Sequence, residues 1–148
     1  MNIPGVYSLG DVAITTAVTG LLPTEGVSAS GVAQTFISGL EGVFAVSLQA
    51  RLAYGSGGTT CKAYVQTSFD QGTTWVDVAC FAFGTASETA LVNLSCLTPK
   101  TTQVVPTDGT LADDTSVDGF LGDRIRAKVT TTGTYATNTV LSLRMVAR

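Results

Sequence analysis

The stretch that decides the fold is Ser68-Phe69-Asp70-Gln71-Gly72-Thr73-Thr74-Trp75. It is preceded by a β-prone run over residues 61–67 and followed by another over residues 75–81. Between them, the Asp70 side chain can bond the backbone two residues on, and Gly72 permits positive φ. The stretch therefore predicts a turn that joins two antiparallel strands.

These eight residues resemble the Asp-box, whose pattern Ser-x-Asp-x-Gly-x-Thr-Trp they match at every defined position. The resemblance implies that Asp70 and Thr74 brace the turn and that Trp75 anchors it to the core. Sialidases carry several Asp-boxes, one per propeller blade, whereas this chain has one and shows no internal repeat. A single copy is a hairpin brace in many unrelated proteins, so it indicates a local structure rather than an activity.

Strand patterns recur along the rest of the chain, with Gly, Pro and Asp turns between them. The clearest runs from Val43 to Tyr54, where apolar and polar residues alternate with the period of a half-buried strand. Further strands are predicted at Val6 to Leu9, Val12 to Val18, Gln34 to Ser38, Thr89 to Leu94, Lys100 to Val105, Asp123 to Thr131 and Thr139 to Ala147. No stretch shows helical periodicity with caps. The sequence predicts an all-β fold, a two-sheet antiparallel sandwich with jelly-roll or Greek-key connections, as a single domain over residues 1–148.

Both arms of the Asp-box hairpin carry apolar residues on both faces. Such strands are central in a sheet or are covered by a neighbouring subunit. Charged residues make up only 13% of the 148 residues, against about a quarter in typical soluble domains. We therefore expect partners to cover much of the surface.

Several classes of function are disfavoured by composition. The net charge of −3 speaks against nonspecific nucleic-acid binding. No apolar segment is long enough to span a bilayer, and the N-terminus lacks the pattern of a secretory signal, so we expect a cytosolic origin and no membrane partner. Histidine is absent, which removes Ser-His-Asp and Cys-His catalysis and His metal sites. We predict a protein that is not an enzyme and needs no cofactor.

Three binding or catalytic alternatives remain open at this stage. A pair of converging carboxylates would suit a glycosidase, although no pair suggests itself in the sequence. The acidic loop from Asp108 to Asp118 has carboxylates but not the spacing of an EF-hand calcium loop. Exposed aromatic residues on a sandwich would suit a sugar.

The three cysteines, Cys61, Cys80 and Cys96, match no zinc template. Cys61 and Cys80 fall on the two arms of the predicted hairpin, and a shift of one residue in register decides whether they share a face. One interpretation is three buried, reduced thiols. The other is a disulfide among them, formed after lysis, with Cys96 linking subunits.

Two regions are candidate protein interfaces. Arg124, Arg126 and Lys128 alternate with apolar residues, so they line one face of one strand. This row is a solvated face or a contact surface for an acidic partner. A nucleic-acid contact is the third option, which is disfavoured because no series of aromatic residues accompanies the cations.

The second candidate is an N-terminal docking arm, Met1 to Gly10, together with the loop from Gly20 to Gly31. Both are rich in turn-forming residues yet contain apolar side chains that could dock on neighbours. These side chains are Ile3, Val6, Leu21 and Leu22.

The chain as a whole resembles small structural proteins of tailed bacteriophages and prophages. The resemblance lies in residues 54–68, in the Asp-box that follows and in residues 122–133. It implies a virion component, made in the host bacterial cytoplasm, that decorates or connects head, neck or tail proteins. Its expected partners are capsid, neck or tail subunits and copies of itself in a homo-oligomer. The alternative is a glycan- or receptor-binding module of a phage particle.

Overall fold

The computed structural model describes residues 4–24 and 33–148, which form β-strands and irregular segments. These residues contain no helix that is long and apolar enough to cross a membrane. The strands are β1 (Gly5–Ala13), β2 (Ala45–Ala53), β3 (Ser56–Gly57), β4 (Thr60–Ser68), β5 (Val76–Phe83), β6 (Glu88–Ser95), β7 (Arg124–Thr132), β8 (Tyr135–Ala136) and β9 (Val140–Ala147). The predicted all-β class is confirmed.

The strands form a four-stranded sheet in the order β1-β9-β2-β6 and a three-stranded sheet in the order β5-β4-β7. A short ladder between β3 and β8 lies beside them, and all strand pairs are antiparallel. The Asp-box hairpin joins β4 to β5 within one sheet. The chain crosses between the two larger sheets from β2 to β4, from β5 to β6, from β6 to β7 and from β7 to β9. The two-sheet antiparallel sandwich predicted from the sequence is confirmed.

One apolar core fills the space between the sheets. Along β7 and β9 every second side chain is buried, as the period of two requires. The four-stranded sheet contributes Val46, Leu48, Ala50, Leu52, Leu94, Leu141, Leu143, Met145 and Ala147, and the three-stranded sheet contributes Cys61, Ala63, Val65, Ala79, Phe81, Phe83, Ile125, Ala127 and Val129. Burial of these side chains is the main stabilising contribution to the fold.

The predicted N-terminal docking arm is largely part of the four-stranded sheet. From Gly5 onward it forms β1, which pairs with β9 and has an irregular register between Ser8 and Gly10. Gly10 has a φ of 120°, and a Cβ at this position would clash with the Cβ of Pro23. The arm is therefore not free beyond residue 4, and Met1 to Ile3 lie outside the described residues.

Three predicted strands differ from the structure. The strand expected from Val12 to Val18 ends at Ala13. The segment from Gln34 to Ser38 forms only a bridge between Ile37 and Ile125, and residues 100–105 form no strand. Their β-branched residues gave the expected propensity, but a strand also needs a partner along its whole length.

The outer edge of β5 is covered by residues 107–117 of the same chain. Asp77 N donates to Thr107 O at 2.8 Å, Cys80 N to Thr115 O at 2.9 Å, and Val117 N to Val78 O at 2.8 Å. β4 is the central strand of its sheet, as its apolar faces indicated. β5 is not central in its sheet, and an irregular segment of this chain pairs with its outer edge.

Candidate functional site

The Asp-box turn is held by a set of short side-chain hydrogen bonds. Asp70 Oδ1 accepts from Thr74 N at 2.8 Å, and Asp70 Oδ2 accepts from the Thr74 hydroxyl at 2.7 Å. Ser68 Oγ accepts from Gly72 N at 2.8 Å, while Gln71 and Gly72 have φ values of 58° and 90°. The bonds from Thr74 hold the pKa of Asp70 below its ordinary value. Asp70 and Thr74 thus sit in the bracing positions that the Asp-box resemblance implies.

Trp75 does not enter the core, although the Asp-box resemblance implied that it would. It is half-buried on the outer face of the three-stranded sheet, the face directed away from the four-stranded sheet. The guanidinium of Arg126 lies 4.2 Å from the centroid of its ring, and the ring of Phe36 lies 6.1 Å away. Trp75 Nε1 donates to Gly72 O at 3.1 Å. The indole therefore fastens the turn to the outer face of β7 through a cation–π contact.

The cation row on β7 forms as predicted from its alternation, but its charges already have partners in this chain. Arg124 lies over the ring of Phe36 at 4.9 Å and pairs with Asp123 at 3.4 Å. Lys128 pairs with Asp108 at 2.8 Å. The row is therefore a sheet face packed against aromatic and acidic groups, and it offers few unengaged cations to an acidic partner.

A polar network centred on Gln66 lies next to this row. Gln66 is fully buried, and its Nε2 donates to Asp77 Oδ1 at 2.8 Å and to Asp108 Oδ1 at 2.7 Å. Its Oε1 accepts from Arg126 Nε at 2.9 Å. The bonds from Lys128 and then from Gln66 hold the pKa of Asp108 below its ordinary value. Every polar atom of the Gln66 side chain thus has a partner, which buried amides require.

Asp77 is the buried carboxylate that fastens the covering segment to β5. It accepts from the Thr107 hydroxyl at 2.7 Å and from the backbone N–H groups of Gly109, Thr110 and Leu111 at 2.8–3.2 Å. Converging N–H groups of this kind stabilise a carboxylate without a cation. The sequence pattern places Asp77 in the β-prone run over residues 75–81 and indicates no further role for it. The signal available was a single Asp inside an apolar strand, which is unusual unless its charge is satisfied.

The acidic residues of the segment between residues 107 and 118 each bind a different partner. Besides Asp108, Asp113 pairs with Lys62 at 2.7 Å, Asp114 accepts from Ala82 N at 3.0 Å, and Asp118 accepts from Ser95 N at 2.7 Å. The bond from Ser95 holds the pKa of Asp118 below its ordinary value. In the described part of the chain no group of three His, Cys, Asp or Glu side chains is placed to hold a metal ion. These carboxylates fix the segment to the sheets.

An apolar pocket of about 210 Å³ opens beside the Asp-box turn, between β5 and the segment that follows β6. Phe69 and Val105 at its rim are 58% and 88% exposed. Its lining comprises Phe69, Val76, Asp77, Val78, Val104, Val105, Pro106, Thr107, Leu111, Val117 and Phe120. Because the Asp77 carboxylate is hydrogen-bonded to the N–H groups around it, the wall of the pocket is almost entirely apolar.

The predicted docking residues are spread over different parts of the surface. Val6 is exposed on β1, and Leu22 is half-buried. Leu21 is partly exposed, and its backbone forms an isolated β-bridge with Val129 of β7. Ile3 lies outside the described residues, as do residues 25–32 of the predicted docking loop. Phe69 is exposed, as was considered possible from the sequence, and further exposed apolar side chains that the sequence did not indicate are Phe44, Leu91, Leu97, Val104 and Val105.

The aromatic residues do not form a platform for a sugar within the described chain. Tyr64 and Tyr135 are buried, and the Tyr54 hydroxyl donates to Gly57 O at 2.9 Å. The Tyr54 ring packs edge-on against Tyr135, and Arg126 occupies a face of Trp75. Phe44 and Phe69 are exposed, and no contact between their rings and another aromatic ring is found in the described part of the chain.

All three thiols are free. Cys61 is opposite Phe83 and belongs to the core, whereas Cys80 is opposite Tyr64 on the outer face. The two cysteines are therefore on opposite faces and three ladder positions apart, beyond the reach of a disulfide. Burial raises the pKa of Cys61 to about 12 and that of Cys80 to about 11. Cys96 is exposed and donates to Phe44 O at 3.0 Å.

The arrangement combines a polar network on the outer face of the three-stranded sheet with an apolar pocket beside it. Its buried carboxylate accepts hydrogen bonds from fixed donors, and its apolar side chains reach the surface around the pocket. Comparisons of the chain with protein-family models, with curated proteins and with solved structures found no match.

Proposed function

We propose that the protein is a non-enzymatic structural component of a phage virion, which decorates or connects head, neck or tail proteins through protein–protein contacts. The observation that carries this proposal is that the charged and the apolar side chains of the surface differ in whether they have partners within the chain. The charges of the outer face are engaged within the chain, while large apolar side chains stand exposed around the pocket. Exposed apolar patches of this kind mark sites of protein association.

The mechanism is adhesion by a stiff block. The two sheets share one core, and the segment over residues 107–117 is fastened to β5 by backbone bonds and by Asp77. A surface that is fixed in advance loses little conformational entropy when it docks. Phe69, Val104 and Val105 then supply apolar contact area, and the exposed Thr101 and Thr102 supply polar groups beside it.

The proposal extends to the location and partners of the chain. The protein is made in the host bacterial cytoplasm and is incorporated into the virion, where it contacts capsid, neck or tail subunits and copies of itself. Those partners would bury the exposed apolar residues that the chain leaves uncovered. The low fraction of charged residues, 13%, supports a subunit that is permanently part of an assembly, because charged residues are depleted in the cores of interfaces.

The test is whether the chain is part of a particle. Particles released by the bacterium that encodes the chain are banded on a density gradient, washed with high salt and analysed by quantitative mass spectrometry. We expect the chain to band with capsid and tail proteins at a fixed ratio that survives the wash. A chain found only among the free proteins at the top of the gradient would refute the proposal.

A matched pair of variants locates the contact. Val105→Lys places a charge on the rim of the apolar pocket, and Thr132→Lys places one at an exposed position at the end of β7. We expect the first to lower incorporation into particles and the second to leave it unchanged, with both proteins folded by circular dichroism. Equal incorporation of the two variants would show that the pocket is not the contact.

A further inference from the structure

The strand β6 forms an outer edge of the four-stranded sheet, and the described residues place no further strand beside it. It pairs with β2 over its whole length, from Glu88 to Ser95, without an irregularity in register. Leu91, at its centre, is 74% exposed. An edge strand with unpaired N–H and C=O groups is a template for a further strand.

The backbone directions along β6 follow from its neighbours. Ala45, opposite Ser95, exchanges hydrogen bonds with Arg148 on its other side, so Ser95 points away from β2. Ser95 N accordingly bonds Asp118 Oδ1 at 2.7 Å. In an antiparallel ladder these directions alternate. Thr89, Leu91 and Asn93 therefore also direct their N–H and C=O groups outward, where the described residues provide no backbone partner.

The opposite edge of the same sheet, β1, has the features that prevent strand addition. Its register is irregular between Ser8 and Gly10, and Pro23 packs against Gly10. Asp11 pairs with Arg144 at 2.9 Å. Irregularities and charges of this kind protect edges, whereas β6 has no Pro, no Lys and no Gly. The β1 edge of the sheet is thus protected against the addition of a strand, whereas the β6 edge lacks these protective features.

We propose that β6 pairs antiparallel with β6 of a second copy of this chain, about a two-fold axis at Leu91, to form one continuous eight-stranded sheet. This inference rests on the proposed assembly role and names the contact between copies. With Leu91 opposite Leu91, Thr89 lies opposite Asn93 on each side. About six backbone hydrogen bonds then form, because both groups of all three outward residues are used.

Self-pairing in this register satisfies the edge and brings no like charges together. Shifting the centre to residue 92 would place Thr89 opposite Ser95, whose N–H is already bound to Asp118. Glu88 is the only charged residue of the strand, and in the proposed register it faces Leu94 of the other copy. The two exposed Leu91 side chains meet on the axis, where a cross-strand apolar pair is stabilising. The strand is thus complementary to itself.

The first experiment measures the mass of the purified chain by sedimentation equilibrium. We expect a species of twice the 15.2 kDa chain mass. Leu91→Lys sets two ammonium groups against each other on the axis and should convert the dimer to a monomer. The matched control is Val6→Lys, because Val6 is an apolar residue with the same 74% exposure on the other edge of the sheet. It should remain dimeric.

The second experiment tests the register by disulfide cross-linking in a Cys96→Ser background. Leu91→Cys should form a covalent dimer under mild oxidation, because directly opposed residues have Cα atoms about 5.5 Å apart. Asn93→Cys alone should not, because the two copies of residue 93 lie four ladder positions apart. Mixing Thr89→Cys protein with Asn93→Cys protein should restore the cross-link.

The outcomes separate this inference from the proposed function. A monomeric wild-type chain, or a dimer lost in Val6→Lys and kept in Leu91→Lys, would overturn the β6 contact. If that chain still bands with particles, the virion role stands without it. A dimer with the predicted cross-links that is absent from particles would support the contact and refute the virion role.

Discussion

The two faces of the three-stranded sheet stabilise the protein in different ways. The inner face is apolar, with residues such as Val65, Phe81 and Ala127 packed in the common core. The outer face carries Gln66 and Asp77, whose polar atoms are hydrogen-bonded to neighbouring side chains and to a covering segment. The inner face depends on buried area, which is non-directional, whereas the outer face depends on the matching of individual donors and acceptors. A mutation should therefore act globally on one face and locally on the other.

The largest effect is expected on the inner face, from Phe81→Ala. Phe81 is 3% exposed within the core, so truncation removes buried area and leaves a cavity. We expect the free energy of unfolding to fall by about 3–5 kcal/mol. Urea denaturation followed by circular dichroism measures it. Val105→Ala, at an exposed position, is the control and should change stability by less than about 0.5 kcal/mol.

On the outer face, Asp77→Ala should lower stability by about 2–4 kcal/mol, because several buried donors lose their acceptor at once. The effect should be local. Hydrogen exchange at the amides of Gly109, Thr110 and Leu111 should accelerate more than exchange along β9. Asp77→Asn keeps the shape and one acceptor oxygen, so its loss should be smaller. Unchanged exchange at residues 109–111 would mean that Asp77 does not hold the segment.

The indole on the outer face should contribute less than a core aromatic residue. Trp75 is half-buried, so we expect Trp75→Ala to lower the free energy of unfolding by about 1–3 kcal/mol. Trp75→Phe keeps a ring beneath Arg126 and should lose less. Trp75 is the only Trp, so unfolding is followed by circular dichroism rather than by fluorescence. A loss equal to that of Phe81→Ala would contradict its placement outside the core.

The smallest effect is the response of the outer face to acid. Asp108 has a folded-state pKa below its ordinary value of 3.8, mainly because of the bond from Lys128. Its stabilisation is therefore complete above the unfolded-state pKa and is lost as the pH falls through the lower folded-state pKa. Thermal unfolding across acidic pH should show a steeper loss for wild type than for Asp108→Asn. Parallel curves would exclude a contribution from Asp108, since Asp11, Asp70 and Asp118 titrate in both proteins.

The sequence predicted those parts of the fold that depend on local patterns. The alternation from Val43 to Tyr54 corresponds to β2, and the Asp-box corresponds to the turn between β4 and β5. It failed where a pattern needed a distant partner. Residues 100–105 have strand propensity but pair with no strand. The outer edge of β5 is covered by an irregular segment, which the sequence indicated only as an acidic loop.

The candidate site was less predictable than the fold. The Arg124, Arg126 and Lys128 row was visible from its period of two, but its partners, apart from the adjacent Asp123, are at least 20 residues away in sequence. The open edge at β6 was also hidden. The pattern of Glu88–Ser95 is that of an ordinary strand, and only its place in the sheet order leaves one side without a neighbouring strand among the described residues.

By itself, the sequence determined the all-β class, the Asp-box turn and the alternation that separates core from surface, because these depend on backbone preferences and on side-chain periodicity over a few residues. The tertiary structure decided which face Trp75 and the two hairpin cysteines occupy, what Asp77 binds and which edge of the four-stranded sheet is open. These properties depend on strand order and register, which are fixed by packing between segments far apart in the chain.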